Sequence, residues 1–411
     1  MTLIIHDARV VTGKPGASAI DCATVVIDDG VITSVTPACA QGGAPDATIR
    51  ENNQVINAQG RVLMPAFVDA HTHACWAGDR LDEWEAKCRA ARAGAGAGDY
   101  LRILKSGGGI MATVRAVRQA TQEELTASLQ QRLHNMLHQG ATTIEIKSGY
   151  GLTTRDECKM LRAIADAARE FPGTVVPTAL LGHAVDPDQP DFFDRTINET
   201  LPAVSTEFPS VAIDAYCEDG AWPVEQCERL FRKAIELGHP VRVHADQFHA
   251  LGMTQLAIDL GARSIDHLEA TPLEPLQALA RSSAFGVMLP VSGFHLDDRY
   301  ANGRAFLDAG GKLVIATNCN PGSAPTTSMP FVIALAARKL GLAASEAIAA
   351  CTSQAAALLN MPDRGVLAPG KRADVILLEH TDERRLAHTL GGDPVDVVVC
   401  SGQVVKDRDA A

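Results

Sequence analysis

The chain predicts an α/β protein: a (β/α)₈ TIM barrel carrying a small β-sandwich assembled from both chain ends. Three observations carry that expectation. Between about residues 65 and 360, eight short apolar runs alternate with amphipathic stretches. The two ends of the chain are instead rich in short β-branched runs separated by turn residues. Histidines gather where the apolar runs stop, and a barrel of this kind gathers its chemistry at the C-terminal ends of its strands.

At 411 residues the chain is too long for one small core and suits a large barrel with an accessory domain. The expected divisions are 1–64 for the first part of the sandwich, 65–362 for the barrel and 363–411 for the rest of the sandwich. In the first part, Leu3–Val11, Ala23–Asp28 and Val31–Val35 read as strands, with Asp28-Asp29-Gly30 as a hairpin turn. In the last part, Ala373–Leu378 and Val395–Cys400 match that character, and Ser401-Gly402 turns the chain into Gln403–Val405. Neither end can bury a core alone, so the two are expected to pair.

The barrel strands are expected to be the run ending at His73, then Thr142–Lys147, Thr174–Leu181, Val211–Cys217, Val241–His244, Ser264–His267, Phe285–Leu289 and Leu313–Asn318. Helices fall between them, for instance at Gln122–Gln139, Thr154–Phe171, Pro223–Gly238, Thr254–Gly261 and Glu274–Ala280. Gly140, Gly238 and Gly261 stand where helices end. An open doubly wound sheet is the alternative, although nothing in it favours stopping at eight strands. The Ala/Gly stretch Ala91–Gly98 reads as a mobile loop.

Composition narrows the partners. A net charge of −12 argues against nucleic acid or an anionic membrane as the main partner. No run approaches the ~18 apolar residues of a membrane span. The start, Met1 to His6, lacks the basic segment of a signal peptide. Ten scattered cysteines without a Cys-x-x-Cys pair read as reduced thiols in a cytoplasmic protein.

The stretch Arg61–Arg80 organises the rest. Its apolar run leads into Asp69-Ala70-His71-Thr72-His73, and on an extended strand His71 and His73 project from one side. Two imidazoles on one face are half of a metal site; a chance His-x-His pair is the alternative. The other strand ends add Lys147 and Tyr150, His183, Cys217 and Glu218, His244 with Asp246 and Gln247, Asp266 with His267, and Asn318 with Asn320. Neutral His71, His73 and His244 would suit one divalent ion, Zn²⁺ or Fe²⁺, with an open position for water. Such an ion makes water acidic and polarises a carbonyl, which is what opening an amide-like C–N bond requires. His267 is then placed to shuttle a proton, unless it is a structural histidine paired with Asp266 or Glu269.

These residues resemble the amidohydrolase superfamily. More narrowly, Ala77–Arg80, Ser106–Ile110, Glu145–Leu152, Leu181–Ala184, His244–Gln247 and Asn320–Ser323 resemble the imidazolonepropionase family across nearly the whole chain. The resemblance implies a barrel of amidohydrolase type that hydrolyses 4-imidazolone-5-propanoate to N-formimino-L-glutamate in histidine degradation. It implies metal ligands at His71, His73, His244 and position 318, with His267 near the reacting centre. Substrate contacts are implied at Arg80, Tyr150, His183, Gln247, Asn320, Gly322 and Ser323, and a homodimer is implied as the assembly. Arg80 can hold a carboxylate-bearing small molecule bidentately, or can instead pair with Asp79, Asp82 or Glu83.

The chain departs from the family pattern at Asn318, where an aspartate is expected, and carries Gln247 where part of the family has glutamate. An amide offers a carbonyl oxygen but cannot serve as a base. Three consequences stay open: the base role has moved to His267 or to activated water, the substrate is another cyclic amide or amidine, or activity is weakened. A heterocycle deaminase would need those two carboxylates more, and a non-catalytic ligand-binding barrel would keep the pocket without turnover. A second metal bridged by carbamylated Lys147 is disfavoured, because bridging lysines of the superfamily come from strand 4 and Lys147 ends strand 2.

Overall fold

The computed structural model describes residues 2–37, 53–92 and 109–408. Cys39, the Ala/Gly stretch from residue 93 onward and residues 106–108 of the glycine run lie outside them.

The chain-end strands form one continuous mixed sheet, which is the shape the expected sandwich takes. Its first part comprises β1 (Thr2–Val10), β2 (Ile20–Asp28), β3 (Val31–Pro37), β4 (Gln54–Asn57) and β5 (Val62–Pro65). Its last part comprises β14 (Val375–Leu378), β15 (Val395–Cys400) and β16 (Gln403–Asp407). The order is β16-β15-β14-β5-β1-β2-β3, with β4 also on β1. The join between the two chain ends is the antiparallel pair β5–β14, where Met64 faces Ile376. Asp28 pairs with Val31 across Asp29 and Gly30, whose φ values of 47° and 82° give the left-handed turn that matches strand twist. Leu3, Ile5, Val25, Ile27, Val375 and Val397 are buried in a core of this sheet's own.

Only Ala66 separates β5 from β6 (Phe67–Asp69), the first barrel strand. The others are β7 (Ala141–Lys147), β8 (Thr174–Gly182), β9 (Ala212–Cys217), β10 (Arg242–Ala245), β11 (Ser264–His267), β12 (Phe285–Met288) and β13 (Lys312–Ile315). All neighbours are parallel and follow chain order, as a singly wound barrel demands and a doubly wound sheet does not. Closure between β13 and β6 occurs just past the strand ends. There the Asn318 amide donates to the His71 carbonyl and the His73 amide to the Cys319 carbonyl, each at 3.0 Å.

The helices obey their end signals. Thr121 and Glu124 form a reciprocal capping box at the start of Gln122–His138. Thr153 accepts from the Asp156 amide to start Thr154–Glu170. Gly140, Gly238 and Gly261 all take positive φ just beyond their helices. Among the described residues no helix is long and apolar enough to cross a membrane.

Candidate metal centre and its pocket

One expectation needs correction before the site is built. The ladder of β6 stops at Asp69 and does not run through His73. The Ala70 carbonyl accepts from Arg242 Nη2 at 2.9 Å and leaves the ladder. Asp69 turns its carboxylate to Thr317, accepting from the backbone amide at 3.2 Å and the hydroxyl at 2.5 Å. His71 and His73 still converge, because Thr72 is pinned on the other side: its carbonyl accepts from the Lys147 amide at 3.0 Å and its own amide donates to Glu145 at 3.0 Å.

His71, His73 and His244 are buried and bring one ring nitrogen each to within 4.8 Å of the others. His71 Nδ1 lies 2.6 Å from Asp266 Oδ2, and His244 Nδ1 lies 3.1 Å from Asp214 Oδ1. A carboxylate only accepts, so both Nδ1 atoms carry the proton and both Nε2 atoms keep a lone pair. Those Nε2 atoms sit 3.3 and 3.2 Å from His73 Nε2. Ligands about 2.0–2.1 Å from one tetrahedral ion lie roughly 3.3 Å apart, so the spacing suits a single cation. Burial holds all three imidazoles below the usual histidine range, hence neutral and able to ligate. Asn318 Oδ1 is buried without a hydrogen-bond partner and faces the same cavity, available as a further oxygen.

The surrounding charges also favour a cation. Lys147 Nζ is held 2.8 Å from Glu145 and 2.9 Å from Asp214. Arg242 reaches Asp266 at 2.8 Å and Glu145 at 3.2 Å. Three carboxylates thus face two cationic side chains, leaving one negative charge uncompensated. Burial would raise the Asp214 carboxyl, but His244, Lys147 and Arg242 keep it well below the usual range. Asp69, buried without a cation beside it, is pushed up to about 7. Lys147 is committed to two carboxylates, and the three histidines are the one metal-competent cluster found among the described residues.

The centre opens on a narrow, solvent-facing cavity. Ten of the twelve residues singled out from the sequence line it; His71 and Gly322 do not. Asn318, three residues past the end of β13 at Ile315, takes φ 56°, a left-handed conformation asparagine tolerates. His183 donates Nδ1–H to the Gly149 carbonyl at 3.1 Å and stacks on His73. Burial lowers its pKa to about 3, which makes it a weak proton acceptor. Gly149 has φ 117°, and Glu157 gathers the amides of Gly149, Gly151 and Leu152, so the glycine-rich segment after β7 is a carboxylate-centred turn.

Two expected substrate contacts are otherwise engaged. The Arg80 fork is closed by Glu83, with Nε and Nη2 at 2.5 and 2.6 Å from its oxygens, so its Nε edge is not open to a ligand. Gly322 sits against that guanidinium: a Cβ there would lie 2.8 Å from Arg80 Nη1. Asn320 is the hub of its own loop, accepting from the Gly322 and Ser323 amides and donating to the Asn318 carbonyl. Glu218, expected among the strand-end groups, instead accepts from Phe248 and His249. Tyr216 and Ile110 line the cavity and were not singled out. Nor were Asp214 and Arg242, and Asp266 was expected only as a possible partner of His267, whereas it holds His71 and Arg242. Their partners lie 24 to 195 residues away in the chain, on neighbouring strands or across the barrel, which linear spacing does not reveal.

Barrel, split sheet and strand-end histidines together define a metal-dependent hydrolase class, and the amidohydrolase family model matches residues 77–406. The chain belongs to that family. Solved structures of similar fold include 5-methylcytosine deaminase from Klebsiella pneumoniae, with TM-score 0.74 at 16% identity, covering 99% of this chain and 98% of that one. A triazine hydrolase from Arthobacter aurescens gives TM-score 0.71 at 17% identity, covering 99% and 95%.

Within the class the chain belongs with the imidazolonepropionases. It is 40% identical to the imidazolonepropionase of Herpetosiphon aurantiacus, covering 98% of this chain and 97% of the relative. It is likewise 40% identical to that of Deinococcus radiodurans, covering 98% of each.

Proposed function

We propose that the chain hydrolyses 4-imidazolone-5-propanoate to N-formimino-L-glutamate, using one divalent ion, Zn²⁺ or Fe²⁺. The observation that carries this reading is the facing of His71, His73 and His244 beside a cavity that Arg80 also lines. In the reaction the hydroxyl of water joins the ring carbonyl carbon, the carbon–nitrogen bond breaks, and the nitrogen takes the proton. His71, His73 and His244, with Asn318 Oδ1 as a further donor, would hold the ion, which when bound would acidify water and polarise the carbonyl.

The rest falls to the chain. Neither Asn318 nor Gln247 can take a proton, and His183 is too weakly basic, so the transfer is assigned to His267, whose ring centroid lies 5.5 Å from that of His244. Gln247, bonded to Ser292 at 3.2 Å, borders the same space and is assigned to the substrate ring. Tyr150 and His183, with centroids 4.8 Å apart, form an aromatic wall for the ring. The Nη edge of Arg80, backed by Gly322, is assigned to the propionate, with Ser323 and Asn320 bordering the same space.

The test is turnover of freshly prepared imidazolone-propanoate with the product identified by mass. Formation of N-formimino-glutamate supports the reading. Turnover of a different cyclic amide alone, or bound metal without turnover of either, would replace it by a divergent hydrolase or a ligand-binding barrel. The same reading includes a cytoplasmic setting, consistent with nine unpaired cysteines among the described residues, and a homodimer, which light scattering would show.

A further inference from the structure

The loop after β11 carries more distortion than its length requires. His267 and Leu268 are consecutive non-glycine residues with φ of 88° and 72°, and both are buried. Left-handed conformations at such residues cost energy and persist where the surroundings impose them. Here Asp246, two residues beyond His244, imposes them. Its carbonyl accepts from the Ala270 amide at 2.7 Å, and its Oδ2 accepts from Thr254 and Thr271 at 2.7 and 2.9 Å. The Leu268 amide donates to the Ala245 carbonyl at 3.2 Å.

The distortion brings Glu269 back onto its own neighbour. Glu269 Oε1 lies 3.0 Å from His267 Nδ1, and both side chains are about 95% buried. The other carboxylate oxygen, Oε2, is buried with no hydrogen-bond partner. A buried oxygen left unpaired is costly, and a simple structural brace could be made without one. From this geometry we infer that Glu269 is a positioning residue: it accepts Nδ1–H of His267, fixes that tautomer, and so presents a proton-accepting Nε2 to the cavity. The inference rests on the proton-transfer role assigned to His267 above. It supplies that histidine with the orienting carboxylate that His71 and His244 obtain from Asp266 and Asp214.

A double-mutant cycle tests it, with kcat, KM and bound metal measured for each variant. We expect Glu269→Leu to lower kcat about 10- to 100-fold with KM and metal content unchanged. Glu269→Gln, whose amide oxygen can still accept Nδ1–H, should lose less. In a His267→Ala background, assayed at high enzyme concentration, neither substitution should lower kcat further. Equal losses with and without His267 would make Glu269 a structural residue only. Wild-type kcat in Glu269→Leu, or a Gln variant as impaired as the Leu variant, would also overturn the inference. Full turnover in His267→Ala alone would instead remove the proton-transfer assignment beneath it.

Discussion

The Asp266 carboxylate lies 2.6 Å from His71 Nδ1, and the same oxygen lies 2.8 Å from Arg242 Nη2. One buried oxygen therefore orients a candidate metal ligand and satisfies a buried guanidinium. Removing it frees the His71 ring and leaves Arg242 to its remaining partners, Glu145 and the Ala70 carbonyl among them. We expect Asp266→Ala to weaken metal binding about 10- to 100-fold, read by competition with a chelator, and Asp266→Asn to lose less. Unchanged metal affinity in the Ala variant would show that His71 does not depend on this bond.

His267 and Asn318 divide the question of the missing carboxylate. With the proton carried by His267, Asn318→Asp should change kcat by less than about tenfold, whereas His267→Ala should lower it by roughly 10²–10⁴. Steady-state kinetics on both variants decides. A large gain from Asn318→Asp would mean that the natural site works far below its capacity.

Gly322 makes room for a cation. Its φ is unremarkable, so alanine strains nothing in the backbone, but the new Cβ would sit 2.8 Å from Arg80 Nη1. The guanidinium must then move. We expect Gly322→Ala to raise KM about tenfold, the value of roughly one charge-assisted hydrogen bond, with a smaller change in kcat. An unchanged KM would separate Arg80 from the substrate carboxylate.

Lys147 is a structural cation. Its Nζ, fully buried, neutralises Glu145 and Asp214 at 2.8 and 2.9 Å. Lys147→Met removes the cation these two carboxylates share, leaving Glu145 with Arg242 and Asp214 with His244, and should cost about 3–5 kcal/mol of stability, read from the urea midpoint at constant slope. A variant as stable as the parent would mean that the pair is offset by other charges.

Much of this was readable from the linear chain, and what was not has a common cause. The eight strands, their helices and the two hairpin turns follow from periodicity and from Gly, Asp and Ser at turn positions, all local signals. The histidines were visible because strand ends can be located and a barrel collects them. The early end of β6 was not, since Arg242 takes the Ala70 carbonyl from 172 residues away. Asp214, Asp266 and Arg242 look like ordinary strand residues until the barrel closes and puts them behind the imidazoles. Arg80 shows the limit within a helix turn. Its pairing with Glu83 was one of two readings, and only the three-dimensional arrangement places the arginine both against Glu83 and on the cavity wall.

The central claim is that His71, His73 and His244 hold a catalytic cation, and removal and return of metal tests it most directly. Purified protein is stripped with a chelator, assayed with imidazolone-propanoate, and reconstituted with Zn²⁺ or Fe²⁺ while metal content is followed by elemental analysis. We expect activity to vanish on stripping and to return in proportion to bound ion, saturating near one per chain. Full turnover by metal-free protein, or saturation unaffected by replacing His73 with alanine, would contradict it.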